Sequence, residues 1–330
     1  MKLGVIAAIG VGLILATAVI GWFGFGAVLH ALARVGWRGY LALCAYSLLP
    51  ILILGGAWFV LGSRLDLGRY GALVWARMVR DAASEHLPFS QFGGFVIGAR
   101  AAILNGVSPT EAFATTVVDA TAELIAQIAF IGLGVGILAQ RLGGASAHST
   151  LLGACLVGLM LCVAGAWAFI ALQRRGSGVI GKLSERFLPG AVAHAAAVTE
   201  ALGALYRRPV RIGGAALIHL AAWTASGAGA WLALHLAGAG ISLTDVLAIE
   251  SLLGAVRSAA FLAPMAVGVQ EAGYALVGPL FGLAPDMALA LSLIKRARDL
   301  TLGVPTLLAW QGLEAQRLLG GPAAALESAP

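Results

Sequence analysis

Long apolar stretches alternate with short basic segments along the chain. A helix needs about 20 apolar residues to cross the roughly 30 Å hydrocarbon core of a bilayer. Stretches of that length lie at about 3–24, 40–62, 110–138, 150–172, 212–237, 242–262 and 286–311. Two more, about 91–107 and 265–282, are apolar but shorter and rich in glycine. The pattern predicts an all-α fold, a polytopic transmembrane helix bundle of about seven full spans plus two short re-entrant or broken segments.

Composition agrees with a chain that faces lipid. Hydrophobic residues make up 60% of the 330 residues and charged residues 11%, whereas soluble domains have about 25% charged residues. The net charge of +6 does not indicate nucleic-acid binding, because the basic residues lie mainly between apolar segments, where they set topology. We expect one integral membrane domain over residues 1–330, with an uncleaved first span.

The distribution of basic residues predicts which loops are cytoplasmic. The loop 173–211 carries seven basic residues against Glu185 and Glu200, so the positive-inside rule makes it cytoplasmic. If 91–107 is re-entrant, the arginine-bearing segment 63–90 is cytoplasmic as well, and if 91–107 crosses fully, that segment is outside. The charge count favours the re-entrant alternative. Residues 69–86 and 178–206 are predicted to form amphipathic helices at the membrane surface.

An internal two-fold repeat is indicated by a shift of 176 positions. The shift places repeat A, about 88–138, on repeat B, about 264–311, and aligns Gly106 with Gly282 and Pro109 with Pro285. Chance recurrence of glycine and proline is the alternative explanation. Paired short segments in two halves point to a transporter's binding site. Whether the halves are inverted or parallel stays open at this stage.

Charged residues lie where lipid is expected, and each costs about 2.5–3.5 kcal/mol at a helix centre. Asp119 and Glu123 share one helix face. They either pair with Lys295 or Arg296 of the other repeat, or line a polar cavity for a headgroup or coupling ion. The candidate pathway residues are Arg100, Asp119, Glu123, Glu250, Arg257, Glu271, Lys295, Arg296 and Asp299. Those expected to allow close approach or hinge motion are Gly93, Gly94, Gly106, Pro109, Gly268, Gly282 and Pro285.

Other chemistry is not indicated. His219 and His235 are expected to be interfacial residues rather than metal ligands, and we expect no metal and no cofactor. No phosphate-binding loop of the Gly-x-x-x-x-Gly-Lys-Ser/Thr type and no Gly-x-Ser-x-Gly elbow occur. A membrane-embedded enzyme could still use Asp119, Glu123 or Glu271 as acid or base. We expect a protein that is not an enzyme, and no residue is assigned as catalytic.

The chain resembles the flippase-like family, the transmembrane region shared with lysylphosphatidylglycerol synthases. The first half carries the resemblance in Pro88, Gly93-Gly94, Arg100, Gly106-x-x-Pro109, Asp119 and Glu123. The second half carries it in Pro264, Gly268-x-x-Glu271, Gly282, Arg296 and Pro305. The segment 87–94 with Arg100 is similar to the hopanoid-biosynthesis-associated branch.

The resemblance implies a lipid translocase or lipid transport accessory of the bacterial inner membrane, with hopanoids or their intermediates as cargo. The implied partners are membrane lipids and proteins of lipid synthesis or transport. The family commonly has an arginine next to the first acidic position of the long helix. Ala120 stands there in the first copy, whereas Arg296 keeps it in the second. An enzyme acting on a lipid headgroup and a scaffold of a lipid-synthesis complex are the alternatives.

Overall fold

The protein is a bundle of α-helices. A computed structural model describes residues 25–62, 67–86, 90–142, 152–153, 155–171, 192–259 and 269–319, and this part of the chain contains no strand. The helices are α1 (Phe25–Tyr46), α2 (Leu48–Leu61), α3 (Leu67–His86), α4 (Ser90–Leu104), α5 (Pro109–Leu142), α6 (Cys155–Ala171), α7 (Val192–Tyr206), α8 (Pro209–Leu236), α9 (Leu243–Ala259), α10 (Val269–Val277) and α11 (Pro285–Leu319). A short 3₁₀ helix, Gly278–Phe281, follows α10.

Three helical stretches are long and apolar enough to cross a bilayer: Ala33–Leu61, Pro109–Leu142 and Pro209–Leu236. They contain the predicted spans at 40–62, 110–138 and 212–237. The predicted span at 150–172 corresponds to the shorter apolar helix Cys155–Ala171, and that at 286–311 lies within α11. The span predicted at 3–24, Gly268 and residues 172–191 of the predicted cytoplasmic loop lie outside the described residues.

Contacts between helix ends define two opposite faces of the bundle. At one, which we call face A, Arg211 Nη1 donates to the carbonyl of Gly62 (2.8 Å) and Arg69 pairs with Glu111. The C-terminal part of α11 ends at the same face, where Arg100 binds Glu314 at 2.8 Å. At the other, face B, Arg34 binds Asp286 (2.9 Å) and Arg141 binds Asp245 (2.5 Å).

The two long helices run in opposite directions between these faces. Helix α5 begins near Glu111 at face A and ends near Arg141 at face B. Helix α11 begins near Asp286 at face B and ends beyond Glu314 at face A. The bundle therefore contains two antiparallel long helices, each of more than 30 residues.

Each long helix is preceded by a helical hairpin that enters and leaves at one face. The first hairpin, α3 and α4, starts at Arg69 and returns to Leu104, whose carbonyl accepts from Arg317 at face A. The second hairpin, α9 with α10 and the 3₁₀ helix, starts at Asp245 and returns to Phe281, both bound by Arg141 at face B. The hairpins thus enter the bundle from opposite sides, and the first matches the re-entrant alternative for 91–107.

The helix pairs are held by a symmetric pattern of packing. Helix α3 packs against α11, and α9, which follows it by 176 positions, packs against α5. The loop before each long helix makes the same turn: Gly106 (φ 88°) and Gly282 (φ 78°) are left-handed, a conformation that glycine adopts without strain. Gly106 N–H donates to the carbonyl of Ile103 at 3.1 Å, and Gly282 N–H to that of Pro279 at 3.1 Å. Pro109 and Pro285 then occupy the first helical position.

The prediction that residues 69–86 lie on the membrane surface is wrong. Helix α3 is inserted between α2, α4 and α11, and Leu73, Val79, Arg77 and Arg80 are all buried. Its amphipathic pattern was correctly detected, but the polar stripe faces charged partners within the bundle and not water. Helix α3 has a low mean hydropathy. It is buried because its arginines pair with carboxylates of α5, and not because its side chains are mainly apolar.

Glycine lets the two helices of the first hairpin approach each other closely. A Cβ atom at Gly94 would lie 2.9 Å from the backbone carbonyl of Arg80, and one at Gly98 would lie 2.7 Å from Arg80 Cβ. The neighbouring Gly93 has no atom within 4 Å of such a Cβ. Gly94 therefore allows close packing of α4 against α3, whereas the sequence predicted close approach to cargo or hinge motion.

Gly94→Ala is expected to lower the stability of the protein by about 1–3 kcal/mol, because the hairpin must separate to admit the methyl group. Gly93→Ala is the control, and alanine there should be neutral or stabilising by up to about 1 kcal/mol through helix propensity. Thermal unfolding of both variants in detergent measures the difference. Equal melting temperatures would show that α3 and α4 are not in close contact at this point.

Candidate functional site

Ion pairs extend from face A to face B along the two hairpins, and we call this series the charge ladder. Its five rungs are Arg69–Glu111, Arg77 and Arg80 with Asp119 and Glu123, Glu85–Arg257, Lys295–Glu250, and Arg141–Asp245. At 1.5 Å per helical residue, Arg69 to Glu85 covers about 24 Å and Asp245 to Arg257 about 18 Å. The ladder is therefore long enough to cross the hydrocarbon core, which is roughly 30 Å thick.

The second rung from face A is centred on Asp119, which is completely buried. Its Oδ2 accepts from Arg77 Nη1 (3.2 Å) and Arg80 Nη1 (2.6 Å), and its Oδ1 is 2.8 Å from Nε2 of the buried His219. Two guanidiniums and an imidazole thus surround one carboxylate. This arrangement compensates the charge of Asp119 in a region that water does not reach.

Glu123 lies one helical turn beyond Asp119 and shares its partners. It accepts from Arg77 Nη2 at 3.4 Å and from Arg80 Nη2. Unlike Asp119, its side chain keeps 24% of its surface exposed. The Arg80 guanidinium also stacks over the ring of Phe95, 4.2 Å from its centroid. The rung therefore has one fully buried carboxylate, that of Asp119, and one partly exposed carboxylate, that of Glu123.

In the Lys295–Glu250 rung, which lies nearer to face B, the long helix carries the positive charge instead of the negative one. Lys295 Nζ binds Glu250 Oε2 (2.7 Å) and the hydroxyl of Tyr274 (2.8 Å), and Tyr274 also contacts Glu250. Lys295 occupies the position that is 176 residues after Asp119. In the first half two arginines of the hairpin bind a carboxylate of the long helix, whereas in the second half a hairpin carboxylate binds a lysine of the long helix.

Further polar side chains surround the Lys295 rung. Glu271 Oε1 accepts from Ser292 Oγ (2.9 Å) and Arg296 Nη2 (3.3 Å). Arg298 binds the adjacent Asp299 at 2.5 Å. Five of the sequence-predicted residues, Glu250, Glu271, Lys295, Arg296 and Asp299, are thus brought together between α9, α10 and α11.

The inner ends of α3 and α9 meet at the central rung. Glu85, one residue before the end of α3, binds Arg257 near the end of α9, with Oε1 and Nη2 2.6 Å apart. The two side chains are 36% and 32% exposed. The three inner rungs, which we call the inner ladder, are therefore paired but not fully enclosed by the bundle, because Glu85, Arg257 and Glu123 are all partly exposed.

One of the two alternatives for Asp119 and Glu123 and one prediction for a histidine do not hold. Asp119 and Glu123 do not pair with Lys295 or Arg296, because arginines of α3 bind the two carboxylates and glutamates of α9 and α10 bind Lys295 and Arg296. His219 is not interfacial, because it is completely buried against Asp119.

Arg100 does not join the ladder. It is about half-exposed and binds Glu314 at face A. Gly93 has open space around it, and the left-handed turns of Gly106 and Gly282 lie at the ends of the hairpins. Among the described residues, no group of three His, Cys, Asp or Glu side chains is arranged to hold a metal ion.

Sequence reasoning missed seven charged residues of the ladder, namely Arg69, Arg77, Arg80, Glu85, Glu111, Arg141 and Asp245. It also missed the contact of His219 with Asp119. A usable signal existed for Arg77 and Arg80, since positions three apart lie on one helix face and this face of α3 is otherwise apolar.

Comparison with known proteins agrees with this architecture. The sequence profile described as "Lysylphosphatidylglycerol synthase TM region" matches residues 5–308. The chain belongs to this family. The match covers both hairpins, so the whole charge ladder lies within the family's region. No curated protein and no solved structure matches the chain. Membership makes this a membrane protein related to lipid headgroup modification or transport.

Asp119→Asn is expected to destabilise the protein by about 3–5 kcal/mol, because it removes the buried carboxylate that Arg77, Arg80 and His219 share. Asp286→Asn, which breaks the exposed pair with Arg34, is the control and should leave the stability almost unchanged. Unfolding of both variants in the same detergent measures the contrast. Similar losses in the two variants would contradict the central role of Asp119.

Proposed function

We propose that the protein is a lipid translocase, or a transport accessory, that moves an amphiphile or its headgroup between the leaflets of a bacterial inner membrane. The observation that carries the proposal is the partly exposed charge ladder, which extends between the two faces. Charged side chains at membrane depth are costly and commonly mark substrate or ion pathways. A headgroup could exchange its contacts from rung to rung while its acyl or isoprenoid chains stay in lipid.

We further propose that the two halves are an inverted repeat that arose by duplication. The equal spacing of α3 and α9, of α5 and α11, and of the turns at Gly106 and Gly282 supports this. The opposite directions of α5 and α11 support inversion. Inverted repeats with broken or hairpin helices are a common plan of secondary transporters, in which one half rocks against the other around a central site.

The resemblance of residues 87–94 and Arg100 to the hopanoid-associated branch favours a hopanoid or a synthesis intermediate as cargo. No nucleotide-binding motif occurs in the sequence, so uphill transport would draw on an ion gradient or a second subunit. The two rivals, a headgroup-modifying enzyme and a scaffold, are distinguished by what happens to the lipid. A translocase leaves its chemical structure unchanged.

Neutralising the Lys295–Glu250 rung tests the proposal without leaving a lone buried charge. In proteoliposomes with a fluorescent lipid analogue, the double variant Glu250→Gln/Lys295→Met should fold, since neutral replacement of a buried pair is often tolerated. Its initial rate of leaflet exchange is expected to fall about tenfold if the rung lies on the pathway. The rate of dithionite quenching measures exchange, and chromatography checks that the lipid is intact.

The matched control removes the peripheral pair, Arg100→Gln/Glu314→Gln, and should keep the exchange rate within about twofold, as expected for a partly exposed pair. Equal rates in both double variants would refute translocation along the ladder. Chemically altered lipid would favour the enzyme. Normal exchange combined with loss of lipid synthesis in cells would favour the scaffold.

We propose that face A is cytoplasmic, because more arginines lie there (Arg69, Arg100, Arg208, Arg211 and Arg317) than at face B, where Arg34 and Arg141 lie. In a cysteine-free background, an impermeant maleimide added to spheroplasts should label Asp286→Cys but not Val210→Cys, both of which are exposed positions. Labelling after lysis confirms that Val210→Cys is reactive. The reverse pattern would place face A outside.

A further inference from the structure

The Glu85–Arg257 pair differs from every other rung of the inner ladder. It joins the two hairpins to each other, whereas the Asp119 rung joins α3 to α5 and the Lys295 rung joins α9 to α11. It is also the most exposed rung: Arg77, Arg80 and Lys295 are buried, but about a third of the Arg257 side chain is open. Arg257 is thus the inner-ladder cation that an incoming ligand can reach.

Arg257 also has unused hydrogen-bonding capacity. A guanidinium carries five N–H donors in a planar fork, and among the described residues Arg257 spends one nitrogen, Nη2, on one oxygen of Glu85. This single-point contact is weaker than the two-point pairing that guanidiniums make with carboxylates and phosphates. An anionic group with two free oxygens can therefore replace the glutamate with a better geometry.

The surroundings of the pair favour an added negative charge. Arg296 and His86 act electrostatically on Glu85 as further cationic or proton-bearing neighbours. On the other side, Asp299 and Tyr274 act on Arg257, and Asp299 is already bound by Arg298. A ligand oxyanion that took the place of Glu85 would keep the attraction of Arg257 and Arg296, and the displaced Glu85 carboxylate, which is partly exposed, would keep Arg296 and His86 as electrostatic neighbours.

We propose that Arg257 is the binding residue for an oxyanion of a lipid headgroup, and that Glu85 occupies this site in the structure as an internal competitor. The fitting chemistry is a phosphate ester, because its oxygens match the guanidinium fork. Displacement of Glu85 breaks the ion pair between the two hairpins, so headgroup binding is linked to separation of the two halves. This inference rests on the proposed lipid transport but concerns binding, which is measured without transport.

The test is lipid binding by the full chain in dodecyl maltoside micelles, read as ligand-induced thermal stabilisation. The probes are dioleoylphosphatidylglycerol, dioleoylglycerol, which has the same tails without phosphate, and inorganic phosphate. Arg257→Gln should abolish the response to phosphatidylglycerol. Glu85→Gln should bind it about tenfold more tightly, since the internal competitor for the guanidinium is gone. Dioleoylglycerol should bind weakly to all forms.

The sign of the Glu85 effect separates a competitor from a structural contact. If the ion pair only held the hairpins together, Glu85→Gln would weaken binding or leave it unchanged, and that result would overturn the proposal. Glu85→Asp, which keeps the charge but shortens the reach, should give an intermediate gain and serves if the glutamine variant does not fold. Arg100→Gln, at the exposed pair with Glu314, should bind as the unaltered chain does.

The remaining outcomes are also decisive. Equal binding of dioleoylglycerol and phosphatidylglycerol would show that no oxyanion is recognised, which refutes the site. Equal affinity for inorganic phosphate and phosphatidylglycerol would refute a lipid ligand in favour of a soluble anion. If the Glu85 and Arg257 variants behave as expected but no lipid exchanges between leaflets in vesicles, the oxyanion site stands and the translocase proposal fails.

Discussion

The compensation of charge at membrane depth is the constraint on which the structure depends. A buried carboxylate such as Asp119 is tolerated only with partners that desolvate together with it. Here those partners come from α3, a helix too polar to insert alone. The ion pairs with Arg77 and Arg80 therefore draw a polar helix into the bundle, and the apolar faces of Trp58, Leu73 and Val79 close around it.

The same constraint explains why the chain needs hairpins. A helix with arginines near its middle does not easily cross the bilayer. It can instead enter from one face and pair its arginines with carboxylates of a neighbouring helix, and the chain then returns to the same face. Glycines at Gly94 and Gly98 bring α4 against α3 closely enough for the pair to occupy little space. Two such hairpins enter from opposite faces and are joined by the Glu85–Arg257 pair, so that one ladder of ion pairs is assembled from two halves.

The sequence predicted the helical membrane class, three of the spans, the short glycine-bearing segments and five of the twelve charged residues of the ladder. These follow from local properties: length, apolar content and the placement of Gly and Pro. It did not predict which charges pair, because pairing depends on how helices cross. Arg77 and Arg80 have the periodicity of a surface helix, and His219 is a lone histidine in an apolar span, so no local signal joins either to Asp119. Likewise, Glu85 finds Arg257 only because the hairpins are inverted.

The way in which the charges pair bears on whether the ladder has a structural or a functional role. Buried ion pairs stabilise proteins poorly, because desolvation offsets the attraction, so leucine would hold these helices together at lower cost. A fully paired and dry interior would nevertheless have argued for a structural role alone. The partial exposure of Glu123, Glu85 and Arg257 shows that the bundle does not enclose the ladder along one side. This arrangement suits a pathway in which the Asp119 and Lys295 rungs hold each half together and the accessible central pair is the one that breaks.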